Sequence, residues 1–391
     1  MSSSDGVLIV GGGIGGLATA LTLARSGRHV RVLERSAEFG EIGAGLQLAP
    51  NATRVLGRLW LLEQVIDLGV LPRRLVCHNA LTGQELTSLD LGEDFRRRFG
   101  GPYVVMHRGD LLDVLLTACQ AEPCVVLESG KDVITVQDSA DRVQATCADG
   151  TTAAAAALIG ADGLRSTVRG LFSDDEPICS GYVAYRGAVP TDQAARLSSL
   201  DDVVLWIGPG LHFVQYPLRR GELYNQVAVF RSEEYTEGRE DWGGPEELDR
   251  AFSVCCPQVR EALPSLGRDR RWPMFDREPI AEWTAGRVAL LGDAAHPMLQ
   301  YLAQGACQAL EDAAAVGHAF GRHIAGPSTL DAVGNAFRAY QEARGAQAER
   351  VQRNARLWGD IWHVDGVAMM LRDELFTQRA IDDYRYIDWL Y

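Results

Sequence analysis

A chain of 391 residues that is 47% hydrophobic and 23% charged has the composition of a folded globular protein, with length for two domains. Its formal net charge of −14 argues against a nucleic-acid partner, which needs clustered Lys and Arg, and means that an anionic ligand requires a locally positive pocket. Met1-Ser2-Ser3-Ser4-Asp5 has no basic or apolar leader character, no stretch approaches the roughly 20 apolar residues of a membrane span, and the eight cysteines form no C-x-x-C pair or His-spaced cluster. The expectation is a cytoplasmic protein without structural metal, its cysteines serving as small buried hydrophobes.

The chain opens on the apolar run Val7-Leu8-Ile9-Val10, followed by Gly11-Gly12-Gly13-Ile14-Gly15-Gly16 and a small-residue amphipathic segment through Arg25. A second run, His29 to Leu33, ends at Glu34-Arg35. This predicts strand, glycine turn, helix and strand. Gly11 permits the tight turn, Gly13 lets the backbone approach a pyrophosphate, and Gly16 allows the helix to pack on the strand. The N–H groups at the helix start, around Ile14, face the anion. Glu34 lies where a carboxylate accepts hydrogen bonds from a ribose 2′-OH. The motif implies a dinucleotide and does not by itself separate FAD from NAD.

Gly40 to Ala52 is glycine-rich and then turns helical; it reads as a connecting loop or as backbone lying against a large flat cofactor. Residues 71–91 alternate around Thr82-Gly83, which predicts a hairpin outside any βαβ repeat. A helix with apolar spacing of three and four follows Met106, and Arg108 before its first turn is either a solvated surface arginine or a phosphate or flavin contact. Ala153 to Ile159 reads as a buried strand ending at Asp162-Gly163, with a helix carrying Arg165 and Arg169 after it. From Tyr182 to Arg231 the runs Val203–Ile207, Leu211–Leu218 and Leu223–Phe230 alternate, which predicts an antiparallel sheet and a second domain. The α/β pattern returns in a buried strand ending at Gly292-Asp293, then a loop to Gly305 and a helix over Ala306–Ala319. Residues 330–391 predict a long charged helix and an aromatic tail, Asp383 to Tyr391, dense enough to need burial.

With G-x-G-x-x-G and Glu34, D-G at Asp162 and G-D at Asp293 in this order, the chain resembles the single-component flavoprotein aromatic hydroxylases, the p-hydroxybenzoate hydroxylase superfamily. The likeness covers nearly the whole chain. It implies a mixed α/β fold: a Rossmann-like FAD-binding domain (1–70, 105–178 and 275–328), interrupted by an antiparallel-sheet substrate domain (71–104 and 179–274), with a helical C-terminal segment (329–391). It also implies that Asp293 contacts the ribityl chain, that Arg108 touches the flavin, and that Asp162 lies near the pyrophosphate. The helix start at Gly305-Ala306-Cys307 would meet negative charge on the reduced flavin with its N–H groups and dipole. Many relatives carry Asn at the position of Cys307, so a backbone contact there survives and a side-chain role does not.

Within the superfamily, the stretches Gly292 to Ala306, His212 to Leu218 and Ile361 to Gly366, with the tail through Tyr391, are similar to the group that hydroxylates 3-hydroxybenzoate. That resemblance implies NADH, or NADPH, and O2 as co-substrates, a flavin C4a-hydroperoxide as oxidant, gentisate as product and a homodimer. It assigns His212 as base, Tyr216 as the substrate's hydrogen-bond partner and Gln300 as the group orienting its hydroxyl. His212 and Tyr216 share one face of their strand, since side chains alternate with a period of two. The plain alternative is a strand histidine satisfied by the backbone. His296 reads as structural, and His107 and His363 as ordinary. Salicylate and hydroxynicotinate hydroxylases share every cofactor motif. An NAD-dependent dehydrogenase has no use for Gly292-Asp293, and a flavin-binding protein without turnover is the remaining class.

Overall fold

Val7–Val10 is buried along its whole length and pairs in parallel with Val30–Leu33 on one side and Ala157–Gly160 on the other. Continuous apolar strands of this kind form where helices cover both faces of a sheet. The computed structural model describes residues 6–40, 45–139, 141–194, 199–235, 243–324, 326 and 328–391. Met1–Asp5, and Glu41 to Ala44 of the glycine-rich stretch, lie outside the described residues.

The first sheet has six strands in the order Thr284–Ala285, Val288–Leu290, Ala157–Gly160, Val7–Val10, Val30–Leu33, Val125–Glu128. The terminal pair Thr284–Ala285 and Val288–Leu290 is its antiparallel exception. The chain leaves Val7–Val10 for neighbours on both sides, so the carboxyl ends of Val7–Val10 and Ala157–Gly160 flank a crevice. Open α/β sheets bind their ligands at such a switch point. Helices Ile14–Arg25 and Gly305–His323 pack against each other beside it.

The second sheet has seven strands, ordered Trp272–Asp276, Ile178–Pro190, Leu223–Arg231, Leu211–Leu218, Asp202–Gly208, Arg74–Asn79, Glu85–Asp90. The expected hairpin of residues 71–91 is its edge. Asp202–Gly208 and Arg74–Asn79 run parallel, a departure from the purely antiparallel expectation. The sheet is assembled from two separate chain segments, and no tight turn constrains the direction of that pairing.

Other expectations need correction. The run Ala153 to Ile159 splits: Thr152–Ala155 pairs with Val143–Cys147, and Ala157–Gly160 joins the parallel sheet. A run of alanines carries no periodicity to mark the bend. After Asp162-Gly163 the chain forms a short 3₁₀ turn, Val168–Leu171, in place of a helix. The helix predicted from Ala306 spans Gly305–His323, and the C-terminal segment contains two helices, Leu330–His363 and Gly366–Thr377. In the aromatic tail, Tyr384 and Tyr391 pack edge-on against Phe95 and Phe99, with ring centroids 5.2–6.0 Å apart. Tyr386, by contrast, is 49% exposed. No described helix is long and apolar enough to cross a membrane.

Candidate active site

The turn between the first strand and helix is built as its glycines require. Gly11 has φ +106°, and a Cβ there would lie 2.3 Å from the Ala161 carbonyl oxygen; a Cβ on Gly16 would lie 2.0 Å from that of Gly11. Glu34, at the end of the second strand, accepts hydrogen bonds from the Gly12 N–H at 2.7 Å and the Ser36 N–H at 2.8 Å. A cavity of about 460 Å³ runs over this turn, lined by Gly11, Gly13, Ile14, Glu34, Arg35, Asp162 and Asp293 among others. Helix Ile14–Arg25 starts at Gly13 with no side-chain cap, so its first N–H groups are open to an anion. Gly16 supports the turn without lining the cavity.

Asp162 shapes the far wall. Its carboxylate accepts from the Ser166 hydroxyl and from the Thr167 and Val168 N–H groups at 2.8 and 3.2 Å. These bonds hold the loop that carries Gly163, Arg165 and Thr167 along the cavity.

A second cavity, of about 360 Å³, lies between the two sheets and meets the first at Arg108, Asp293, Gly305 and Ala306. Asp293 lies deep in the molecule, and its side chain is accessible because it borders both cavities. Burial raises its pKa and the Arg108 guanidinium opposes that rise. Helix Gly305–His323 begins here, and Gln304 provides no side-chain cap. Behind it, Asp312 accepts from His296 Nε2 at 2.6 Å, the Gly292 N–H at 3.0 Å and Arg344 Nε at 2.8 Å. This buried cluster ties the loop after Gly292-Asp293 to two helices, and it occupies His296 in structure.

The second cavity brings His212, Tyr216 and Gln300 together. His212 is 1% exposed, and burial holds its pKa well below the ordinary imidazole value. Its Nδ1 lies 2.9 Å from His363 Nε2, an arrangement the strand pattern could not reveal. The Gln47 side chain bonds both Tyr216 and Tyr103, the latter at 2.5 Å. Gln300 accepts from Arg186 Nη2 at 3.1 Å.

Sequence reasoning passed over Arg186, Tyr103, His363 and the tryptophans. Arg186 is a half-buried guanidinium in the cavity wall; its Nε has no partner, and burial, with repulsion from Arg108, lowers its pKa. A charged residue inside the alternating run Tyr182 to Val189 was the available signal. Trp358 and Trp362, one helical turn apart, line the cavity with Phe376, Ile387 and Leu390, so the C-terminal segment closes it. Their spacing of four was also legible, but not the surface they meet.

A glycine-floored groove beside two uncapped helix starts, opening at Asp293 into a chamber under a second sheet, defines a dinucleotide-dependent enzyme that works on a small enclosed substrate. The length of the groove and its open helix starts fit FAD. The chain belongs to the FAD binding domain family, which matches residues 5–355. It is 39% identical over 386 residues to the 3-hydroxybenzoate 6-hydroxylase of Polaromonas naphthalenivorans, across 98% of this chain and 95% of that one. It is 35% identical over 392 residues to the 3-amino-4-hydroxybenzoate 2-monooxygenase PtmB3 of Streptomyces platensis, across 97% and 95% of the two chains. Among solved structures, Klebsiella pneumoniae HpxO complexed with FAD and uric acid has a TM-score of 0.84 at 26% identity, covering 98% of this chain and 95% of that one. The protein is therefore an FAD-dependent aromatic monooxygenase.

Proposed function

We propose that this enzyme hydroxylates 3-hydroxybenzoate para to its hydroxyl, giving 2,5-dihydroxybenzoate, with NADH in preference to NADPH as reductant. The observation that carries this reading is the convergence of His212, Tyr216, Gln300 and Arg186 on one chamber at the end of the cofactor groove. Arg186 answers the requirement raised by the net charge of −14, since it provides local positive charge for a carboxylate. Bound FAD supplies the reduction by the nicotinamide nucleotide and the activation of O2.

The protein's own groups do the rest. His212 is neutral at pH 7 because burial disfavours its charged form, so it can accept the phenolic proton and make the ring electron-rich. Gln300, whose Oε1 is engaged by Arg186, turns its amide N–H groups to the resulting oxygen anion. Tyr216 donates to the substrate from a wall fixed by Gln47. Trp358, Trp362 and the tail exclude water, which protects the oxidant.

For the cofactor we assign Gly11, Gly13, Ile14 and Gly16 to the pyrophosphate turn, Glu34 and Arg35 to the adenosine end, and Asp162 to the pyrophosphate loop. Arg108, Asp293, Gly305 and Ala306 serve the ribityl chain and flavin. Residues 1–70, 105–178 and 275–328 then form the FAD-binding domain, 71–104 and 179–274 the substrate domain, and 329–391 the C-terminal segment, in a cytoplasmic homodimer.

The test is oxidation of NADH and NADPH by the purified holoprotein against 2-, 3- and 4-hydroxybenzoate and 6-hydroxynicotinate, with products identified by mass spectrometry. Strong stimulation by 3-hydroxybenzoate with 2,5-dihydroxybenzoate formed is expected. Preference for 2-hydroxybenzoate or 6-hydroxynicotinate, or no response to the panel, overturns the substrate assignment.

A further inference from the structure

His212 sits on the strand Leu211–Leu218, and His363 is the last residue of the helix Leu330–His363. The Gly210 N–H donates to the His363 carbonyl at 3.0 Å, which fixes the helix end against the strand turn. The two imidazoles are stacked at 21° with centroids 5.1 Å apart and a nitrogen separation of 2.9 Å. Two neutral imidazoles at that distance share one hydrogen, because two facing lone pairs repel and two facing N–H groups clash. If His212 is to accept a proton at Nε2, its own hydrogen is on Nδ1 and points at His363 Nε2. His363 then carries its hydrogen on Nδ1.

We infer that His363 is a positioning and relay residue, which sets the tautomer of His212 and carries the substrate's phenolic proton from it towards solvent. The inference rests on the phenol chemistry proposed above. The proton balance is complete. The phenol O–H bond breaks and a bond to His212 Nε2 forms; the His212 Nδ1 proton passes to His363 Nε2; the His363 Nδ1 proton leaves to water. Both rings end neutral, with their hydrogens on the opposite nitrogens, and a concerted rotation or the return of protons at product release resets them.

The surroundings favour onward transfer over storage. His212 lies between Tyr301 and Trp362 at 5.4 and 5.3 Å, an apolar setting in which a resident imidazolium is costly. His363 keeps 9% of its surface against 1% for His212, so it is the nearer of the two to water. Its outer face stacks on Tyr182 at 4.5 Å. The charged groups around the pair are Arg372, which disfavours a lasting charge on His363, and Asp360, which acts on Tyr182 and Tyr301. Burial depresses both imidazoles, so neither keeps the proton at neutral pH.

The test is proton release on mixing oxidised holoenzyme with 3-hydroxybenzoate in weakly buffered solution, followed by a pH indicator in stopped flow, alongside the dissociation constant from flavin fluorescence. In His363→Gln the amide can still accept from His212 but cannot relay. Its release is expected to slow by roughly tenfold or more, with flavin content and substrate affinity near those of the parent. In His363→Gly added imidazole is expected to restore the rate. Parent-rate release in His363→Gln, slowing that imidazole does not relieve, or losses that merely follow substrate affinity overturn the relay. A parent enzyme that turns over 3-hydroxybenzoate without releasing a proton removes this inference alone, whereas one that ignores 3-hydroxybenzoate removes the substrate reading and the relay with it.

Discussion

Gly45 lies flat against the ring of Tyr216: a Cβ there would sit 2.5 Å from both Cε2 and the phenolic oxygen. The Gly45 N–H also donates to Asn225 Oδ1 at 3.1 Å, on the strand that neighbours Tyr216. One glycine thus sets how closely the cofactor side of the molecule approaches the substrate sheet. Gly45→Ala is expected to push the Tyr216 ring out of place at a cost of about 1–3 kcal/mol. Substrate affinity measured by flavin fluorescence should fall roughly tenfold or more with FAD still bound. An unchanged affinity would show that the ring yields freely and is not a fixed wall.

His212→Ala should lower hydroxylation by roughly 10²–10⁴-fold if this imidazole is the base. Single-turnover kinetics separate that loss from weaker binding. Retained turnover at neutral pH moves the base elsewhere in the chamber.

Asp293→Ala removes the carboxylate at the junction of the two cavities. The expected outcome is a folded protein that loses flavin on desalting, read from the ratio of visible to ultraviolet absorbance. Full flavin content after purification would count against a ribityl contact.

Asp312→Ala leaves Arg344 and the Gly292 N–H buried without their acceptor. Removing one partner of a buried ion pair costs on the order of 3–5 kcal/mol, so urea unfolding should shift strongly. A loss below about 1 kcal/mol would mean that water or Glu311 replaces the carboxylate.

Stability should fall as the solution is acidified below the ordinary histidine range. His363 is pushed down to about 4 by burial, and burial depresses His212 in the same direction. Both are neutral in the folded state, so between pH 6.5 and about 4 the unfolded chain binds the extra protons. Stability is full above that window, and each histidine removes about 1.4 kcal/mol per pH unit within it. Urea midpoints at pH 8, 6 and 5 check this, and His363→Gln should show a shallower fall than the parent. Parallel curves would place His363 outside the titration.

The cofactor half of the site was legible along the chain because its signals are local. Gly11, Gly13, Gly16 and Glu34 lie within one strand–turn–helix–strand unit, and their spacing follows from backbone geometry. Alternation likewise revealed the strand Leu211–Leu218 and put His212 and Tyr216 on one face. What tertiary structure alone decided is long-range. His363 meets His212 across 151 residues of sequence, Arg186 reaches Gln300 across 114, and the C-terminal tryptophans cover a chamber formed by distant segments. A helix period says which residues share a face but not what that face meets. The partner of a buried imidazole is set only when the helix Leu330–His363 ends against the turn at Gly210, where packing and a backbone hydrogen bond bring the two rings together.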